Sequence, residues 1–245
     1  MPLIVSVVVP VYNEEGAAVQ VAREIEAVFS KAYAEGEFEI IVVDDNSTDA
    51  TFARLSDVKK DLKSLRLLHH QNNSGKSAAI RTGVFAAKGD IIVTVDGDGQ
   101  NPPEDAARMA RILQNAAPDV ALVAGQRRNR QDSQSKKWAS RWANGIRKSL
   151  LKDNCDDTAC GLKAIRREAF LRLPYFDQIH RYLPSLVNRE GYKTLFETVD
   201  DRLRTTGQSK YTNIGRLAVA LSDLPGVMWL NSRLRKPGKV SEFGQ

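Results

Sequence analysis

Apolar positions along the first half of the chain alternate between two rhythms. Leu3–Val9 is a continuous β-branched run of the kind found in strands buried on both faces. Glu15–Ala34 then shows helical spacing, with Val19, Ile25, Val28 and Phe29 on one side. The pair of rhythms repeats. Strands are expected at Phe38–Val43, Leu65–His69, Ile91–Val95 and Val120–Ala124. Helices are expected from a cap at Ser47 or Thr48 to about Lys63, over Ser74–Ala87, and over Glu104–Ala116 behind Pro102 and Pro103. Strands separated by helices imply βαβ units and a doubly wound, mostly parallel α/β sheet.

Beyond residue 125 the alternation stops. Gly161–Arg166 and Tyr192–Val199 read as further strands, and Gln178–Arg189 and Asn213–Leu221 as helices. Without internal repeats or a low-complexity linker, residues 1–245 are expected to form one domain. A nucleotide-binding half would span 1–125, an acceptor half 126–212, and a helical, basic tail 213–245.

Composition narrows the class. The chain has 245 residues, 42% hydrophobic and 27% charged, which is ordinary for a folded globular protein. Its net charge of +6 favours anionic partners such as phosphates, nucleic acid or a membrane surface. No nucleic-acid recognition module accompanies that charge, so nucleic acid is not expected as a partner. Cys155 and Cys160 suggest no disulfide framework, and a lone CxxxxC lacks a second ligand pair for zinc. No apolar run reaches the roughly 18 residues of a spanning helix, and no signal peptide is evident. The expected location is the cytosol, with contact to the membrane from outside.

Candidate chemistry gathers at the expected strand ends, where open α/β sheets bind ligands. Three clusters fall there: Pro10-Val11-Tyr12-Asn13-Glu14, Asp44-Asp45-Asn46-Ser47 and Asp96-Gly97-Asp98-Gly99-Gln100. Two carboxylates two residues apart, turned by glycine after a buried strand, can converge on Mg²⁺ or Mn²⁺, with Gln100 adding a neutral oxygen. The plain alternative is a polar turn. Asp44 and Asp45 could bond a ribose or a base edge, or could cap a helix. Tyr12 could line a base or be a half-buried core residue. Ser74-Gly75-Lys76-Ser77 is not a P-loop, because the required earlier glycine is replaced by His70.

Residues 126–152 hold nine Lys or Arg against one acid, Asp132. Trp138, Trp142, Ile146 and Leu150 recur every four residues, flanked by Lys136, Lys137, Arg141, Arg147 and Lys148. Over 134–151 this is the pattern of a helix lying on an anionic membrane surface, or of an ordinary amphipathic helix packed on the sheet.

Together the motifs PVYNEE, VVDDNSTD, NNSGKSAAIRTG and VDGDGQNPPED resemble the family-2 glycosyltransferases of GT-A fold. Two later motifs narrow the likeness to polyprenyl-phosphate (dolichol-phosphate-type) glycosyltransferases: Asp157-Thr-Ala-Cys-Gly161-Leu162-Lys163, and Arg204-Thr-Thr-Gly207-Gln-Ser209-Lys210-Tyr211. The resemblance covers about residues 4–212. Many relatives carry C-terminal transmembrane helices, which this sequence lacks. That points to peripheral attachment or a separate anchoring subunit. The resemblance implies that Pro10, Tyr12, Glu14 and Asp45 line a nucleotide. Asp96 would touch nucleotide and metal, with Asp98 and Gln100 completing the metal shell. Arg204, Ser209 and Lys210 would hold phosphates, Arg127 would add a phosphate contact, and Asp157 would lie near the sugar or acceptor. The implied reaction is an inverting transfer from a UDP- or GDP-sugar to a polyprenyl phosphate at the cytoplasmic membrane face. Two rival readings use the same fold: transfer to a glycan hydroxyl with Asp156 or Asp157 as base, and a non-catalytic nucleotide-sugar-binding or membrane-adaptor protein.

Overall fold

The computed structural model describes residues 4–127, 147–202 and 213–235, the last from its backbone alone over 213–222. In chain order the elements are β1 (Val5–Val11), α1 (Ala18–Ala32), β2 (Phe38–Asp44), α2 (Thr51–Val58), β3 (Leu65–His69), α3 (Lys76–Ala86), β4 (Ile91–Thr94), α4 (Pro103–Asn115) and β5 (Val120–Arg127). After residue 147 come β6 (Lys163–Arg166), α5 (Arg167–Arg172), a 3₁₀ turn (Ile179–Arg181), α6 (Leu183–Glu190), β7 (Lys193–Val199) and α7 (Asn213–Ser232).

The seven strands form one sheet in the order β3-β2-β1-β4-β6-β5-β7. All neighbours are parallel except β6, which runs antiparallel to both β4 and β5. Both faces are covered, and the two-residue strand period sorts side chains between two cores. Val5, Val7, Val9, Ile40 and Val42 pack with α1, α2 and α4. Val8, Ile41, Val43 and Ile92 pack with α3, α5 and α6 on the other face. Ile25 and Phe29, expected on the inner side of α1, are fully buried. Each such side chain contributes about 1.5–3 kcal/mol over its exposed state.

The second half of the chain does more than wrap the first, since β6 is inserted between β4 and β5. Because β6 is reversed, its first residues lie at the carboxyl end of β4. That reversal brings Gly161 beside the Asp-Gly-Asp turn.

Two expected helices are corrected. Residues 178–189 do not form one helix: Gln178 is left-handed at φ 63°, and the chain turns again at Tyr182, two residues ahead of Pro184. Helix α2 begins at Thr51 rather than at Ser47 or Thr48, because those two side chains are engaged elsewhere.

Candidate active site

The three strand-end clusters converge on one edge of the sheet. Strand order reverses around β1 and β4, and their ends hold the first and third clusters. After β1 the chain turns at Asn13, which takes φ 51°, a conformation that asparagine tolerates. The Asn13 N–H donates to Ser47 Oγ at 2.9 Å, the Thr48 N–H to Asn13 Oδ1 at 2.7 Å, and the Glu14 N–H to Thr51 Oγ1 at 2.8 Å. The first two clusters are therefore strapped together. Tyr12 stands at their rim, 36% exposed.

The two acids of the second cluster have separate tasks. Asp44 is fully buried and accepts from the Ser47 N–H and hydroxyl, while its Oδ2 lies 2.8 Å from His69 Nδ1. Asp45 reaches across to the start of α3. It accepts the Ser74 N–H at 2.9 Å and the Gly75 N–H at 2.7 Å, and lies 2.7 Å from His70 Nδ1. The other ring nitrogen of His70 meets Thr82 Oγ1 at 2.9 Å. Asp45 thus holds the two residues that lead into α3, rather than capping the helix that follows it in sequence. A carboxylate there also suits the positive end of the helix.

Helix α3 begins at Lys76, behind Gly75 at φ 86°. Lys76 Nζ donates to Asp96 Oδ1 at 2.6 Å. Asp96 itself rests on Gly161: a Cβ at that position would lie 2.2 Å from Asp96 Oδ1. Thr94 Oγ1 fixes the approach by donating to the Gly161 carbonyl at 2.6 Å. Two residues on, Asp98 Oδ1 accepts the Gln100 N–H at 3.1 Å. Arg202 closes this edge by donating its N–H to the Gln100 carbonyl at 3.0 Å. The Gln100 side-chain amide donates to the Arg202 carbonyl at 3.5 Å. Arg202 is thus tied to the Asp-Gly-Asp turn. Arg204, Ser209 and Lys210 lie outside the described residues.

Arg127 and Asp157 meet each other. Arg127 Nε and Nη2 donate to the two oxygens of Asp157 at 2.7 and 3.1 Å, and Asp201 lies 3.7 Å from Nη1. Burial works against the Arg127 charge, but the hydrogen bonds to Asp157 outweigh it and hold the guanidinium above its ordinary range. Arg127 therefore arrives at the edge already paired with Asp157. Such a two-pronged pair orients both groups.

Sequence reasoning left the histidines without partners and did not select Lys76 as a site residue. The structure gives each a role. Ser77 Oγ lies 2.8 Å from His180 Nδ1, pinning the 3₁₀ turn to the start of α3. Burial, aided by Lys76, Lys163 and Arg181, pushes His180 well below the usual histidine range, so it is neutral. Lys163 is buried beneath the site and donates to the Cys160 carbonyl; burial lowers its pKa too. Burial raises both thiols, Cys160 to about 11, which makes them unreactive near neutral pH. The one available signal was NNSGK, which marks a helix start carrying a lysine.

Of the basic Trp segment, Trp138, Trp142 and Ile146 lie outside the described residues. Arg147 is turned inward, paired with buried Asp153 and donating to the Cys155 carbonyl, so it does not belong to an outward basic face. Leu150 is 44% exposed.

A mostly parallel sheet with one reversed strand and acids at the ends of β2 and β4 defines a GT-A glycosyltransferase fold. Glucosyl-3-phosphoglycerate synthase from Mycobacterium tuberculosis, solved with Mn²⁺, UDP and glucosyl-3-phosphoglycerate, shares it. That likeness has a TM-score of 0.69 and 18% identity, over 96% of this chain and 82% of that one. Mannosyl-3-phosphoglycerate synthase from Rubrobacter xylanophilus matches with a TM-score of 0.70 and 16% identity, over 99% and 78% of the two chains. Residues 6–173 match the sequence profile of Glycosyl transferase family 2, and the chain belongs to that family. Among curated relatives, the undecaprenyl-phosphate 4-deoxy-4-formamido-L-arabinose transferase of Pseudomonas fluorescens (strain SBW25) is 34% identical over 222 residues. The match spans 90% of this chain and 63% of that protein's length. The dodecaprenyl-phosphate galacturonate synthase of Rhizobium johnstonii (strain DSM 114642 / LMG 32736 / 3841) is 32% identical over 241 residues, 95% of this chain and 69% of the relative. The chain thus spans a little under two thirds of the length of the first of these.

Proposed function

We propose that this chain catalyses transfer of a glycosyl group from a nucleotide-diphosphate sugar to a polyprenyl phosphate at the cytoplasmic face of a membrane. The observation that carries the reading is the convergence of Asp45, Lys76, Asp96, Gly161 and the Arg127–Asp157 pair on one sheet edge, in a chain similar over most of its length to polyprenyl-phosphate transferases.

The residues of that edge fit a divalent cation. Asp96 and Asp98 are hard oxygen donors, Asp96 already holds a cationic group, and the missing side chain at Gly161 leaves its carboxylate room. Among the described residues no cluster of three or more His, Cys, Asp or Glu could hold a metal alone. Two carboxylates therefore suit an ion that takes its remaining ligands from the donor's diphosphate, with Gln100 at the rim. When bound, Mg²⁺ or Mn²⁺ would offset the charge of the departing diphosphate.

The chain's own residues account for the rest. Pro10, near the end of β1, and Tyr12 and Glu14, on the strapped turn after it, line the nucleotide. Asp45 shapes that wall by holding the start of α3. An oxygen of the acceptor phosphate attacks the anomeric carbon as the bond to the diphosphate oxygen breaks, inverting that centre. A phosphate monoester is largely ionised near neutral pH (second pKa about 6), so no general base is required. This suits Asp157, whose two oxygens are engaged by Arg127. Arg204, Ser209 and Lys210 would position the phosphate nucleophile.

The test is a transfer assay with Mn²⁺, a panel of UDP- and GDP-sugars and a short polyprenyl phosphate, with the lipid product read by mass. A glycosyl polyprenyl phosphate is the expected product. Transfer to a glycan hydroxyl alone would overturn the acceptor assignment, and tight nucleotide binding without turnover of any donor would favour a non-catalytic role. Asp98→Ala should lower turnover at least a hundredfold, in line with removal of a charge-stabilising group, while leaving the melting curve in place.

A further inference from the structure

Lys76 is bonded to the first acid of the Asp-Gly-Asp pair, the carboxylate best placed to take a metal ion. Its ammonium sits 2.6 Å from Asp96 Oδ1. Neither group is locked away: the Lys76 side chain is 34% exposed and that of Asp96 25%. We propose that Lys76 is the resident counter-cation of Asp96, keeping the seat that a divalent cation takes, and that arrival of the metal-bound nucleoside diphosphate transfers its ammonium from the carboxylate to the phosphates. This inference rests on the metal reading of Asp96 and Asp98.

Three features support the exchange. First, the Asp96 carboxylate is packed directly against Gly161, with no space for even a methyl group between them. Second, the backbone ahead of Lys76 is held by Asp45 through the Ser74 and Gly75 N–H groups. The mobile part is therefore the four-carbon stem of the lysine. Third, other cations stand near Lys76. Lys163 and Arg181 flank His180, which stays neutral beside them. A divalent cation placed on Asp96 with Lys76 still in position would face like charge a few ångströms away. That repulsion exceeds thermal energy even at an effective dielectric of about 20. The ammonium has to leave, and the diphosphate that brings the metal offers it oxygens.

Such a lysine makes the site selective for metal and donor together. With no nucleotide present it competes with the ion for Asp96. With nucleotide present it binds the same ligand that the metal binds.

Binding of Mn²⁺ alone, followed by the electron paramagnetic resonance signal of the free ion, separates the possibilities. Wild type, Lys76→Met, Lys76→Arg and Asp98→Ala would be compared, each checked for an unchanged melting curve. Lys76→Met is expected to bind Mn²⁺ about fivefold more tightly than wild type, the effect of removing a half-exposed competing ion pair. Lys76→Arg should stay near wild type. At saturating Mn²⁺, calorimetric titration with UDP and with GDP should show weaker binding of the preferred diphosphate in Lys76→Met. Unchanged or weaker Mn²⁺ binding in Lys76→Met would overturn the exchange, provided Asp98→Ala still removes the binding. Absence of Mn²⁺ binding in every variant would overturn the metal reading and this inference with it.

Discussion

His180 and Gly161 show how single side chains, present or missing, set the chemistry of the sheet edge. His180 is neutral in the folded protein because burial and three nearby cations hold its pKa well below 6.5. Unfolding releases it to its ordinary value, so the unfolded chain binds more protons as pH falls through about 6.5. Stability from this group is therefore complete above that pH and is lost progressively below it. Thermal melting between roughly pH 7.5 and 5 should show a falling Tm, and His180→Gln should flatten that fall. An identical slope in the variant would remove His180 as its source. Gly161→Ala tests the other residue. The added methyl group collides with the Asp96 carboxylate rather than with rigid backbone. Metal-dependent turnover should fall by at least tenfold, with only a small loss of Tm. The acids could be read from the sequence because carboxylates behind buried strands are unusual. Lys76 and His180 could not, because their partners come from remote elements: 20 residues separate Lys76 from Asp96, and 103 separate Ser77 from His180.

The strands were legible to within two or three residues, since an unbroken apolar run leaves little choice. Helix starts were less so, because capping groups are claimed across the fold. Ser47 and Thr48 look like caps for α2, yet they serve Asp44 and Asn13, and the helix waits until Thr51. Asp45 looks like a neighbour of α2, yet it holds the entry to α3 about 30 residues later. Nor does the sequence reveal the direction of β6: period and composition are blind to whether a strand runs up or down. Asp45 gives this level its prediction. Asp45→Ala removes the acceptor of the Ser74 and Gly75 N–H groups ahead of α3 and the partner of His70. Loss of such an acceptor costs about 1–2 kcal/mol, readable as a lower urea midpoint at unchanged slope. The same variant should loosen the Lys76 loop and so weaken nucleotide binding. Lost binding without lost stability would mean that Asp45 acts on the nucleotide directly.

At the level of the whole molecule, the proposed acceptor is lipid-borne, so the sheet edge proposed as catalytic would have to meet a membrane surface. Among the described residues no helix is long and apolar enough to cross a membrane. The chain also matches only 63% of the length of a relative whose name specifies an undecaprenyl-phosphate substrate. Segment 134–151 is our candidate for the contact. Arg147 no longer counts toward it, being paired with Asp153, but Lys136, Lys137 and Arg141 beside Trp138 and Trp142 retain the pattern. A basic side chain near an anionic surface contributes about 1 kcal/mol, so these three alone would raise membrane affinity by about two orders of magnitude. That attraction is screened within about 10 Å at 0.1 M salt, whereas insertion of tryptophan is not. Co-sedimentation with vesicles of phosphatidylglycerol and phosphatidylcholine should therefore show binding that weakens as salt rises and as the anionic lipid is removed. Trp138→Ala with Trp142→Ala should lower what remains at high salt. Arg147→Ala should leave the salt dependence alone and instead lower stability, because it strands a buried carboxylate. Equal sedimentation of wild type and the double tryptophan variant would assign those rings to packing on the sheet and leave attachment to some other surface.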